Sequence, residues 1–192
     1  ADFKNVDPGA DEDLKAALAI VAAWDGRADM ENRNAALTIF TGQAAMGSQI
    51  HDTYNREKAL KSLKETAALL KASLGRIDPK WSEVSRVARG GQSWPTNGGP
   101  DTLRAVYVAG DLMKDKFRSG RAGDTYVAMA DWAPDGTYKI DTIHQYGSAT
   151  IDAKSPHYAD QAPIFAAEKW KQPPMTLEAA IAEATRDYRP GK

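Results

Sequence analysis

The chain has no cysteine among its 192 residues. That excludes disulfides, thiol nucleophiles and cysteine metal sites, and it leaves the compartment open. A surplus of either charge is missing too. Lys and Arg number 25 against 26 Asp and Glu, a formal net charge of −1, so there is no electrostatic reason to expect nucleic acid or an anionic membrane as a partner. No apolar run approaches the roughly 20 residues that span a bilayer, so no transmembrane helix is expected. Histidine is scarce. His51, His144 and His157 stand in no His-x-x-x-His or comparable spacing, and neither a metal nor any other cofactor is expected. No Gly-x-Ser-x-Gly elbow occurs, since Ser148 lacks the second glycine. Gly90-Gly91 and Gly98-Gly99 are not followed by the Gly-Lys-Ser/Thr of a phosphate loop. The chain opens Ala1-Asp2-Phe3 with no basic-then-apolar leader, as a processed chain or one trimmed at its start would.

What is present describes a globular protein. Hydrophobic residues make up 42% and charged residues 27%, enough for one good-sized core or a helical lobe attached to a mixed α/β lobe. Helical signals dominate the first part. Asp11 caps a helix with Glu12 and Asp13 at its positive end and Leu14, Leu18 and Val21 as its stripe, up to Trp24-Asp25-Gly26. A second helix is expected from Asp29 to about Phe40. A third carries Leu60, Leu63, Ala67, Leu70 and Leu74 at three- and four-residue spacing and stops at Gly75.

The character changes after Pro79. The glycines and prolines between Gly90 and Asp101 suggest a long ordered loop or lobe boundary, giving a helical region 1–89 and a strand-rich region 90–192. Strands are expected over Leu103–Ala109, Asp124–Trp132 and Thr137–His144, the last two joined by the hairpin turn Ala133-Pro134-Asp135-Gly136. The run from Thr125 to Trp132 is apolar on both alternating faces except for Thr125 and Asp131, the pattern of a strand covered on both sides. Short helices are expected to start at Ser155-Pro156, to restart at Pro163 toward Trp170, and to run from a Thr176 cap to near Tyr188.

Asp131 is the candidate acid. Alternation places it beside Val127 and Met129, where burial would make its charge expensive without a partner. The competing reading has it at the strand end, paired with Lys139 or Arg121 or meeting solvent. His157 and Asp160 sit in the turn after Ser155, where a bracing network is the simpler account than catalysis. The residues alone do not compose a complete active site.

Five stretches occur together in order. They are Leu18–Trp24-Asp25-Gly26 with Asp29 and Ala35-Ala36-Leu37; Trp81–Arg86 with Arg89-Gly90; Gly98-Gly99-Pro100-Asp101 through Arg104 to Tyr107; Gly123-Asp124-Thr125-Tyr126 through Asp131-Trp132; and Ser155-Pro156-His157-Tyr158-Ala159-Asp160-Gln161 with the ending Tyr188-Arg189-Pro190-Gly191. Together they resemble the C-terminal part of the β-subunit in the penicillin acylase family of N-terminal-nucleophile amidohydrolases. The resemblance implies an α+β fold, helical in its N-terminal half, with antiparallel strands and short helices in its C-terminal half. That fold would be part of a four-layer α-β-β-α core built with the rest of the β-subunit and the α-subunit of one precursor. It implies cleavage of an acyl amide by an N-terminal serine outside this chain, since Ala1 has no nucleophile, and an assisting place for Asp131 on its strand. It also implies a periplasmic or secreted protein. Gly147-Ser148 departs from the penicillin-amidase form of the turn and tilts the resemblance toward the acyl-homoserine-lactone or aliphatic-acyl branch. A non-catalytic scaffold that keeps the fold is the alternative.

Overall fold

The computed structural model describes residues 3–46 and 55–185. His51 and the run Tyr188-Arg189-Pro190-Gly191 lie outside them. The first helix, α1 (Glu12–Ala23), starts where Asp11 accepts the Leu14 N–H at 2.9 Å. That bond holds the Asp11 carboxyl below its ordinary range.

The second helix, α2, spans Ala35–Met46, so it begins six residues later than the sequence suggests. Local side-chain bonds explain the delay. Asn32 Oδ1 accepts from the Asn34 and Ala35 N–H groups, while its amide donates to Asp25 Oδ1 and the Arg27 carbonyl. Residues 29–32 are thereby held as a turn, and the helix starts beyond it.

The third helix, α3 (Arg56–Leu74), is capped by Asn55 and ended by Gly75 at φ 74°, a left-handed position that glycine occupies without steric cost. Its face of Leu63, Ala67 and Leu70 is buried against α1 and α2.

A short helix, α4 (Trp81–Val84), leads into a four-stranded sheet. Its strands are β1 (Ser85–Arg89), β2 (Gln92–Pro95), β3 (Val106–Ala109) and β4 (Arg118–Gly123), and α5 (Leu112–Asp115) lies between the last two. The order is β2-β1-β4-β3, and β1 runs parallel to β4, so this sheet is mixed. The expected long loop is in part a tight hairpin: Gly90 and Gly91, both at positive φ (60° and 75°), join β1 to β2. β3 starts at Val106 rather than Leu103, which is 91% exposed in the loop that Thr102 Oγ1 ties to the carbonyls of Gly99 and Arg104.

Ser85, Val87, Val106 and Val108 are buried, and the core closes around fully buried Trp81. Its indole donates to the Gly98 carbonyl at 2.7 Å, and its ring lies 5.5 Å from that of Phe40.

The second sheet is a hairpin of β5 (Tyr126–Trp132) and β6 (Tyr138–His144). Two short helices follow, α6 (Ala162–Ala166) and α7 (Leu177–Glu183), the latter capped by Thr176. α7 ends at Glu183, short of the expected Tyr188, and no helix starts at Ser155. The chain from 155 to 161 forms successive turns, because its carbonyls are taken elsewhere. The His157 carbonyl accepts from the Ala149 N–H, and the Tyr158 carbonyl from Arg89 Nε at 3.1 Å. α6 stops before Trp170 because Glu168 adopts φ 53° and the chain turns back, pairing Lys171 with Thr142 on β6. The architecture is α+β, with helices first and strands later.

Candidate functional site

Two of the segments singled out in the sequence, Arg89-Gly90 and the run from Ser155 to Gln161, meet in space, and they meet as a brace. Arg89, from β1, stacks between two tyrosine rings, its Cζ 3.8 Å from the Tyr158 centroid and 4.9 Å from that of Tyr146. It donates to the carbonyls of Tyr158 and Thr150, so one guanidinium fastens the 146–158 loop to the sheet. Burial pushes the Tyr146 phenol up, and the Arg89 charge opposes that rise.

Below it lies Gly147. A Cβ there would fall 1.8 Å from the His157 carbonyl oxygen and 2.5 Å from Asp160 Oδ1, so the turn closes only with glycine. His157 Nδ1 lies 3.0 Å from Asp160 Oδ2, and this contact is the leading reason the Asp160 carboxyl is held below its ordinary range. Ser155 Oγ accepts the His157 backbone N–H at 3.1 Å. The hydroxyl thus serves the turn, and the serine and the imidazole do not form a nucleophile–base pair.

A second brace is centred on Arg104. Its side chain is only 11% exposed, and its Nη atoms donate to Asn97 Oδ1, Thr96 Oγ1, the Phe165 carbonyl and Glu168 Oε1. The guanidinium also lies 4.1 Å over the Phe165 ring. Burial draws its pKa down, with Glu168 opposing. Neither Arg89 nor Arg104 emerges from the sequence as more than part of a motif, because cation–aromatic stacking between positions about 60 residues apart leaves no local spacing.

Asp131 sits elsewhere. It is exposed near the tip of the β5–β6 hairpin, in register opposite Lys139, whose Nζ lies 3.9 Å from Asp141. The described residues therefore do not supply the apolar setting expected for it. His144 ends β6 with its ring edge-on to Tyr126 at 4.9 Å. Among the described residues there is no group of three or more His, Asp or Glu side chains placed to hold a metal.

β5 also departs from the expected two-sided burial. Tyr126 (53%), Met129 (47%) and Trp132 (67%) are exposed, as is Tyr138 (49%) on β6. Only the base of the hairpin enters the core, through buried Ile143 and half-buried Val127. The structure is thus a braced α+β body carrying a hairpin whose apolar faces are left open, with no nucleophile–base pair among the described residues.

The chain belongs to the penicillin amidase family, whose model matches residues 2–182. It is 32% identical over 128 residues to acyl-homoserine lactone acylase PvdQ of Pseudomonas fluorescens, an alignment covering 66% of this chain and 15% of that protein. It is 24% identical over 188 residues to acyl-homoserine lactone acylase PvdQ of Pseudomonas savastanoi pv. phaseolicola, covering 86% of this chain and 24% of the relative. The chain therefore spans less than a quarter of the length of these relatives.

Proposed function

We propose that this chain is the C-terminal part of the β-subunit of a penicillin-acylase-type amidohydrolase. The parent enzyme cleaves an N-acyl-homoserine lactone, a penicillin-like amide or another N-acyl substrate. The observation that carries the reading is the family match over most of the chain, combined with the short share of each relative that the chain represents. The open hairpin supports it, since apolar faces of that size suit a protein surface still to be covered.

In this reading the chemistry belongs to an N-terminal serine outside the chain. The serine hydroxyl attacks the amide carbonyl, and the serine's own α-amino group takes the proton. Backbone and side-chain donors hold the oxyanion that forms. The C–N bond then breaks, the amine leaves with that proton, and water hydrolyses the acyl-serine ester. This chain contributes packing, core strands of a four-layer α-β-β-α body and one wall beside the site. Asp131 would assist by polar contact, with no part in bond making. The partners are the remainder of the β-subunit and the α-subunit of the same precursor, and the location is periplasmic or secreted.

Denaturing electrophoresis and intact-mass measurement of the natural mature protein test this. The expected result is a β-subunit that begins with serine and contains this sequence, a second polypeptide accompanying it, activity on a chromogenic acyl amide in the assembly, and none in this chain alone. If this chain alone makes up the mature protein and stays monomeric, the scaffold reading replaces it.

A further inference from the structure

Asn97 is the one asparagine in the chain that precedes a glycine; Asn5, Asn32, Asn34 and Asn55 precede Val6, Arg33, Ala35 and Arg56. An Asn-Gly step is prone to deamidation because glycine leaves its own amide nitrogen unshielded by a side chain. That nitrogen gives up its proton and attacks the asparagine Cγ. The Cγ–Nδ2 bond breaks, ammonia leaves, and a five-membered succinimide closes. Water then opens the ring at either carbonyl, leaving aspartate or isoaspartate, so amide plus water becomes acid plus ammonia. The two Asp-Gly steps, Asp25-Gly26 and Asp135-Gly136, are poorer electrophiles. Bonds from the Arg27 N–H and the Thr137 hydroxyl hold their carboxyls below the ordinary range and so keep them ionised.

The fold calls for this reactive pair in the loop between β2 and β3. Gly98 adopts φ 81°, and a Cβ there would fall 2.5 Å from the Arg104 carbonyl oxygen, so the position admits only glycine. Asn97 in turn supplies an acceptor to the largely buried Arg104 guanidinium.

The groups that ring closure has to move are held on both sides of the peptide bond. The Gly98 N–H donates to the Ala28 carbonyl at 3.1 Å, and the Gly98 carbonyl accepts from the buried Trp81 indole at 2.7 Å. The Asn97 carbonyl accepts from Thr96 Oγ1 at 3.1 Å, and that hydroxyl accepts from Arg104 Nη2 at 3.2 Å. Arg104 Nη1 holds Asn97 Oδ1 while the guanidinium is seated on the Phe165 ring. A donor on Oδ1 also polarises the Cγ carbonyl, but polarisation speeds attack only when the nitrogen can reach Cγ. Here that nitrogen is committed to Ala28 and anchored through Trp81 to the core.

We propose that Asn97 is a latent deamidation site that Arg104 keeps shut. Isoaspartate at this position adds one atom to the main chain of the loop and draws Gly98 away from Ala28 and Trp81. A chain that reacts while the loop is open does not regain this packing.

Peptide mapping by mass spectrometry of the complete mature protein, incubated at mildly alkaline pH, tests this against the same protein held unfolded in guanidinium chloride. Asn97 should convert about 100-fold more slowly in the folded protein. Arg104→Met should speed conversion in the folded protein about tenfold or more. Arg104→Lys keeps the charge and loses the fork, and it should speed conversion as well. Gly147→Ala opens a different turn and should leave the rate at Asn97 within about threefold of the parent. Conversion of the folded parent at the unfolded rate overturns the proposal. So does an unchanged or slower rate in either Arg104 variant, a slower one meaning that the guanidinium promotes attack. Equal acceleration by Gly147→Ala overturns it too, since opening of the whole fold would then set the rate. If the methionine variant is not recovered, the lysine variant decides.

Discussion

Replacing Arg104 with methionine isolates what the guanidinium does for the fold. The stem is kept and the charge and donors are removed. Asn97 Oδ1, Thr96 Oγ1 and the Phe165 carbonyl lose their donor in a region where Arg104 itself is only 11% exposed. An acceptor left unmatched in such a place costs about 1 kcal/mol or more. Loss of the stack on Phe165 adds about 1 kcal/mol. Glu168 contributes little because its side chain is 48% exposed and screened, and pairs of that kind are worth about 0–1 kcal/mol. Against these losses, the variant no longer has to desolvate a cation. The balance is a destabilisation of about 3 kcal/mol, or about 6–12 °C in Tm for a chain of this length. Differential scanning calorimetry of the purified variant reads it directly. Arg104→Lys should fall nearer to the methionine variant than to the parent, because an ammonium does not reproduce the fork to Asn97 and Phe165. A methionine variant within about 2 °C of the parent would refute the reasoning, as would a lysine variant that restores full stability.

Gly147→Ala should cost about 2 kcal/mol in urea unfolding, because its Cβ falls 1.8 Å from the His157 carbonyl oxygen and the turn must open; a cost near zero would show that the turn yields freely. Asp160 has a depressed pKa in the folded protein, chiefly through His157, so the stability it contributes is present above its ordinary value of 3.8 and is lost as pH falls from there through the depressed folded value. Asp160→Asn should therefore flatten the acid limb of the stability profile in that window, and a Tm–pH curve that keeps its slope there would contradict the assignment. Asp131→Asn, at an exposed position, should shift unfolding by less than about 0.5 kcal/mol. If Asp131 assists the reaction, turnover of a chromogenic acyl amide by the complete enzyme falls by much more than that, and unchanged turnover removes it from the site.

The elements legible in the sequence are those whose causes are local. Asp11, Gly75 and Thr176 begin or end helices through bonds within a few residues, and Ala133-Pro134-Asp135-Gly136 closes its hairpin by the Gly136 N–H to the Ala133 carbonyl. The misplaced boundaries have distant causes. Ser155-Pro156 carries a strong helix-start signal, yet Arg89 and Ala149 claim the carbonyls that a helix over 155–161 would use. α2 starts late because Asn32 reaches back to Asp25 and forward to Ala35 at once. The parallel contact of β1 with β4 brings Ser85 beside Arg118 and Arg86 beside Ser119, and no pairing signal in either strand announces it. Of the proposed site, the sequence shows the residue types and not their setting.

That setting turns on one hairpin. The strand from Thr125 to Trp132 is apolar on both sides, a pattern that stabilises only when both faces are covered. The described residues cover one end of it, at Val127 and Ile143. Asp131 shares its face with Val127, Met129, Lys139 and Asp141, so whatever layer lies over Met129 also lies over the carboxylate. The side-chain environment of Asp131 therefore depends on whether this face of the hairpin is covered. A layer over this face in the assembled enzyme makes a buried carboxylate opposite Lys139 the expected state there, where its charge requires a partner. A face that stays open leaves Asp131 in solvent, and a loss of turnover in Asp131→Asn would then need a cause other than a desolvated carboxylate.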